Sequence, residues 1–286
     1  MDAIGAIAIL PSPREIAVLV ARLGVWLLIL GVVFVPLERL FALRPARLLR
    51  SGFLADVGYY FLNGVLPGLV LSLPLAAVAW LGRYTFPAAA FDHAPIAVRA
   101  GVALVLAEVG FYWGHRWSHE IPLLWRFHAV HHSPTQVDWL VNSRGHPVDF
   151  IFTRLCGFLP VYALGLSNPM SGRGRWLMTM VVLIGPIWGY FIHANVRWRF
   201  GPLEWLIATP AFHHWHHAND GPAVLDKNYA PMFPWIDRLF GTLHLPRDGQ
   251  PAAYGTDSAV AADMAGQLID PFARSRHAMA LPSKPI

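Results

Sequence analysis

Apolar residues run almost unbroken over 16–37, 57–81 and 96–113, separated by stretches that carry charge or turn residues. A helix of about 20 apolar residues crosses the hydrocarbon of a bilayer, so this pattern predicts three spanning helices. Pro67 and Pro74 interrupt the second run, a break that bilayer helices tolerate because neighbouring groups satisfy the freed carbonyls. Two further apolar runs follow at 150–166 and 176–191, with Asn168, Pro169 and the glycines of 172–174 between them. The first of these is barely long enough to span, so the pair is expected as a short or re-entrant hairpin. Thr209 followed by Pro210 reads as a helix start, with Thr209 as N-cap and Pro210 in the first turn.

Charge orients these elements. Glu38 and Arg39, then Arg44, Arg47 and Arg50, follow the first span, and a basic loop of this kind faces the cytoplasm. Residues 1–13 lack the basic start and small-residue cleavage site of a signal peptide. Residues 82–95 form the opposite turn, and the third span then brings the chain back to the cytoplasmic face. The polar, aromatic stretch 115–149 lies on that face. Arg173 and Arg175 at the hairpin tip would oppose a full crossing, and either way His193 re-emerges on the cytoplasmic side. Residues 1–245 read as one membrane domain without internal repeats, and the Pro-, Ala- and Gly-rich 246–286 as a loosely ordered tail.

Composition agrees with a membrane protein. The 286 residues are 55% hydrophobic and only 14% charged, against about a quarter charged in soluble domains. The net charge of +5 fits loops beside anionic lipid; no basic run with interleaved aromatics points to nucleic acid. Cys156 is the single cysteine, which excludes an intrachain disulfide, a CxxC zinc site and a cysteine-held iron–sulfur cluster. It sits in an apolar run as a small packing residue. Arginine outnumbers lysine 20 to 2, which with abundant Ala, Gly and Pro suggests a GC-rich bacterial source and an inner-membrane location.

Eleven of the 14 histidines lie between His115 and His217. Three clusters hold most of them: His115 and His119 (HxxxH), His128, His131 and His132 (HxxHH), and His213, His216 and His217 (HxxHH). Positions i, i+3 and i+4 share a helix face, and neutral imidazole is the commonest side-chain metal ligand. Eight such ligands are too many for one ion and suit two. Nitrogen ligands alone accept Zn, Fe, Cu or Ni. The Glu-x-x-His of soluble di-iron bundles is absent, and HRWSH lacks the glutamate of a zinc protease. Haem ligands of membrane cytochromes face the bilayer interior, whereas these histidines crowd just outside it.

The ordered motifs resemble the sterol desaturase / fatty acid hydroxylase superfamily of membrane di-iron oxygenases. The matching stretches are HRWSHE from His115, WRFHAVHHS from Trp125, NSRGHP from Asn142, FIHAN from Phe191 and TPAFHHWHH from Thr209. The resemblance covers about 100–245. It implies an all-α integral membrane fold: about four transmembrane helices plus the short or re-entrant hairpin, beneath a helical cytoplasmic cap. It further implies two iron ions, O2 as co-substrate, and hydroxylation or desaturation of an unactivated C–H in a sterol-like, hopanoid-like or fatty-acyl lipid.

By the same resemblance, His115, His119, His128, His131, His132, His213, His216 and His217 take the ligand positions. His193 looks like a further ligand between the second and third boxes, and His146 is the candidate for a tenth. His214 is extra to the HxxHH pattern. Glu120, Asp138, Asn142, Asn195 and Asp220 are candidates to orient ligand imidazoles through their free N–H. Trp113, Trp117, Trp125 and Trp139 suit the headgroup level. No glycine fingerprint for flavin or nicotinamide is present and no fused redox domain, so electrons are expected from a separate cytochrome b5-like or ferredoxin/reductase donor. Rival readings are an ether-lipid monooxygenase, which Glu120 after the first box fits, a carotenoid oxygenase, and a non-catalytic metal carrier. A carrier should line a path at mid-bilayer, whereas Asp56 and Glu108, in or near the spans, form no chain of polar sites.

Overall fold

The computed structural model describes residues 11–85, 94–166 and 185–273, and among these the chain is helical, without a β-strand longer than an isolated bridge. Helix α1 (Pro13–Phe41) opens with a capping box in which Ser12 and Glu15 satisfy each other's backbone N–H. Helix α2 (Phe53–Thr85) carries Pro67 and Pro74 inside it, and α3 covers Ile96–Glu120. These three helices are long and apolar enough to cross a membrane. Leu28, Val32 and Leu54 on them are at least 70% exposed, a costly surface in water and the expected one against acyl chains.

Helix α3 runs past the apolar pattern. Hydrophobicity stops near residue 113, yet the helix continues to Glu120 and so carries His115 and His119 on its last turns. It ends where Ile121 precedes Pro122 and turns extended. Helix α4 (Pro122–His132) begins at once, with Pro122 in its first turn. Helix α5 (Pro147–Ala163) packs against α3 and α2. The α3–α5 seam is closed by small residues: a Cβ at Gly110 would collide with the Cys156 carbonyl, and one at Gly114 would press on the Cys156 side chain. Cys156 thus serves as a packing residue, as its surroundings in the sequence predict.

At 17 residues α5 is short for a span. The hairpin tip, with Asn168, Pro169, Arg173 and Arg175, lies outside the described residues, as do 1–10, most of the turn after α2, and 274–286. The chain is helical again over 185–193. Three helices among the described residues are long and apolar enough to span, where the hydrophobic runs predict three and the resemblance implies about four.

Four helix ends meet on one side: the C-termini of α1 and α3 and the N-termini of α2 and α5. A buried ion network ties them to the following cap. Arg50 bonds Asp56 Oδ2 at 2.7 Å and Asp138 Oδ1 at 2.8 Å, and Arg144 bonds Asp56 and the Gly52 carbonyl. Glu38 Oε1 accepts the backbone N–H groups of Trp139 and Asn195, each at 2.8 Å. Arg50, counted above as a loop charge, is therefore neutralised inside the protein. The cap then adds α6 (Pro210–His216) and α7 (Pro234–Leu239). Within 246–273, expected from composition as loose, α8 (Met264–Ile269) forms and Phe272 packs on Phe127 and His146.

Candidate metal centre

Helix α3 supplies His115 and His119, α4 supplies His128, His131 and His132, and α6 with its C-cap supplies His213, His216 and His217. Thr209 caps α6 by accepting from the Phe212 N–H, with Pro210 in the first turn as predicted. His193 arrives at the end of the 185–193 helix. These nine residues form two groups. His115, His119, His128, His132 and His216 make one; His131, His193, His213 and His217 make the other, with the ligand atoms of each group within 4.8 Å of one another.

The partition cuts across the sequence clusters, for a geometric reason. At 3.6 residues per turn, positions i and i+4 differ by about 40° and i+3 lies about 60° to the other side. In both HxxHH boxes the i and i+4 histidines go to one group and the i+3 histidine to the other. His128 and His132 join the first group while His131 joins the second; His213 and His217 join the second while His216 joins the first. Each box thus bridges both groups, and the His132 and His217 rings stack across the divide at 4.5 Å.

Outer hydrogen bonds fix the tautomers. The Nδ1–H groups of His115, His131, His193 and His216 donate to the carbonyls of Tyr229, Arg144, Gly189 and Lys227 at 2.7–2.8 Å. His128 Nδ1–H donates to Asp149 Oδ2 at 2.9 Å. With the proton on Nδ1, each Nε2 presents a lone pair inward. His115 and His128 then face each other Nε2 to Nε2 at 3.2 Å, and His131 and His193 at 3.3 Å, with no hydrogen between them. The Nε2 atoms of His119, His132 and His216 are buried without any partner. Converging lone pairs repel unless a cation lies among them, and a set of imidazole nitrogens suits a transition metal rather than Ca2+ or Mg2+. Burial, reinforced by neighbouring imidazoles, holds His131 down to about 4 and keeps His132, His193, His213, His216 and His217 well below their ordinary value. These rings are neutral at pH 7, the form that binds a metal.

A family model for fatty acid hydroxylases matches residues 100–242, half of the chain, and this stretch holds both histidine groups. The chain belongs to the fatty acid hydroxylase family. It is 35% identical to an ornithine lipid hydroxylase of Rhizobium tropici over 195 residues, 68% of this chain and 56% of that one. It is 32% identical to an alkylglycerol monooxygenase of Danio rerio over 49% of this chain and 29% of the relative. A very-long-chain aldehyde decarbonylase of Oryza sativa subsp. japonica shares 29% identity over 62% of this chain and 63% of its own length. The chain thus spans less than two thirds of each of these curated relatives. No solved structure matches it.

In this fatty acid hydroxylase family member, His146 and His214 fall outside both groups. His146 caps α5, accepting from the Val148 N–H, and its other nitrogen meets the Leu268 carbonyl. His214 is fully buried between the Tyr254 hydroxyl at 2.7 Å and the Ala194 carbonyl at 3.1 Å. The five polar candidates are engaged elsewhere. Glu120 pairs with Arg116, Asp138 with Arg50, and Asn195 with the Arg44 backbone. Asn142 bonds Tyr190, and Asp220 caps the backbone of Ala252 and Ala253.

The orienting groups are mainly backbone carbonyls and Asp149, which sequence reasoning missed. Asp149 is the only acid between Asp138 and Glu204, and its place three residues after His146 was the available signal. Asp226 Oδ1 also lies 3.4 Å from His119 Nδ1. Trp125 lies tilted beside His119 and His132, at 5.1 and 5.6 Å, and donates its N–H to Ser258.

Proposed function

We propose that this chain is a membrane-bound di-iron oxygenase that hydroxylates or desaturates an unactivated C–H bond of a lipid, using O2 and two external electrons. The observation that carries this reading is the pair of histidine groups whose lone pairs converge without hydrogens between them, at the ends of membrane-length helices. Two irons held there supply O2 activation and hydrogen removal from carbon, chemistry that no side chain provides. His115, His119, His128, His132 and His216 would hold one ion, and His131, His193, His213 and His217 the other.

The chain's own residues do the rest. Carbonyl and carboxylate partners on Nδ1 hold His115, His128, His131, His193 and His216 in the donor tautomer, so little reorganisation of these rings accompanies metal binding. Trp125, anchored on Ser258, covers the five-histidine group and limits water. His115 and His119 sit at the end of α3, which puts the centre beside the bilayer from which a lipid substrate would come. Relatives named as an ornithine lipid hydroxylase and an alkylglycerol monooxygenase support a lipid substrate, and the latter keeps ether-lipid oxygenation as the second reading. The basic loop after α1 supports a cytoplasmic centre in a bacterial inner membrane, served by a separate cytochrome b5-like or ferredoxin donor.

A metal carrier fits less well. Both acids within the described spans that the carrier reading needs are already committed: Asp56 to Arg50 and Arg144, and Glu108 to the Met232 N–H. The deciding experiment is metal analysis of detergent-purified protein beside His128→Ala and His216→Ala. About two irons per chain, reduced in both variants, supports the reading; stoichiometric haem, or protein that resists iron loading, refutes it. Lipid analysis of cells with and without the active chain then identifies the oxidised product.

A further inference from the structure

The two histidine groups differ in what stands behind them. Every Nδ1 partner in the four-histidine group is a neutral carbonyl: Arg144 O for His131 and Gly189 O for His193. The five-histidine group has carbonyls behind His115 and His216 and, in addition, carboxylates. Asp149 is 6% exposed; its Oδ2 takes the His128 Nδ1–H at 2.9 Å and its Oδ1 takes the Ser118 hydroxyl, also at 2.9 Å. Ser118 lies on α3 between His115 and His119 and is itself fully buried. Asp226 stands 3.4 Å from His119 in the same group, more exposed and more weakly engaged.

A buried carboxylate behind an imidazole does two things. It fixes the ring, and it makes Nε2 a stronger donor than a carbonyl partner does. Its negative charge also offsets part of a dication's charge in a site that water does not reach. Five nitrogens, with His128 backed by this carboxylate, should outbind four that have only carbonyls behind them. We propose that Asp149, steadied by Ser118, is a positioning residue that makes the five-histidine group the tighter of two unequal metal positions, filled first when metal is scarce. This rests on the two-metal reading above and adds an order to it.

Cobalt(II) tests the order without turnover, because its visible spectrum separates four- from five-coordinate sites. Metal-free full-length protein in detergent is titrated with Co2+ under competition from a chelator. Two separable equivalents are expected, the first with a five-coordinate spectrum. Asp149→Asn keeps a hydrogen-bond acceptor but removes the charge. It should weaken the first equivalent about 10-fold or more and leave the second unchanged. His217→Ala should remove the weaker equivalent and spare the tighter one.

Two equivalents of equal affinity in the native protein would overturn the ordering while leaving the two-metal reading intact. An Asp149→Asn profile like the native one, or one weakened equally at both positions, would overturn the role of Asp149. Native protein that takes up no metal would remove the two-metal reading and this inference together.

Discussion

Neighbouring histidines in one motif have separate jobs. His216 offers an unpartnered buried nitrogen to the five-histidine group, while His214 spends both of its nitrogens on Tyr254 and the backbone. His216→Ala should therefore lose metal. His214→Ala should keep full metal content and cost stability only, on the order of 1–3 kcal/mol for stranded partners; metal analysis beside a thermal melt separates the two. Eight of the nine converging histidines were legible because a helix repeats its face every three to four residues; His193, outside the three clusters, came only from the family resemblance. Their partition was not, since it depends on how α4 and α6 meet. The orienting groups were still less legible: four are carbonyls, which every residue possesses, so no side-chain pattern marks Tyr229, Arg144, Gly189 or Lys227. Glu120 and Asp138, close in sequence to the boxes, satisfy arginines instead.

At the element scale, the cap is held to the membrane helices by a few buried charges. Asp56, on the first turn of α2, serves both Arg50 and Arg144, and the Arg144 carbonyl orients His131. Asp56→Asn leaves two buried guanidinium groups short of a carboxylate, a loss of about 3–5 kcal/mol for a broken buried pair. It should also shift His131, so metal leaves the four-histidine group before the five-histidine group; residual metal and melting temperature are the measurements. The α3–α5 seam gives a cleaner contrast. Gly110→Val should prevent folding because the added carbons meet the Cys156 carbonyl, whereas Gly101→Ala faces open space and should be neutral or slightly stabilising; folded yield in detergent reports both. Hydrophobic runs made the three long helices legible to within a few residues at most ends. They gave no sign that α3 would continue to Glu120, because polar histidines facing one another replace the apolar face there.

For the whole molecule, the histidine core ties stability to pH and to metal. Rings held neutral by burial take up protons less readily in the folded than in the unfolded chain. His131 and His214 sit at about 4, and the other cap histidines of the two groups with resolved shifts lie well below their ordinary value of about 6.5. Between about 4 and 6.5 the unfolded chain therefore binds more protons, and linkage makes stability rise with pH across that window. Asp237 works the other way: burial raises it to about 6, so the folded form holds its proton and gains as pH falls from 6. Outside the membrane-spanning helices this one raised carboxyl stands against seven lowered imidazoles, which leaves the histidines in control. Metal-free protein should keep its full melting temperature above about pH 6.5 and lose it steadily as the pH is lowered towards 4. Metal binds the unprotonated rings of the folded chain more tightly than those of the unfolded chain and should raise the melting temperature at pH 7 by mass action. The increment should shrink on acidification as protons compete for the same nitrogens. Melting curves of chelator-treated and metal-loaded protein from pH 7.5 to 5 test both slopes. A flat metal-free curve would mean that the buried rings take up protons inside the fold, against the burial and tautomers described above.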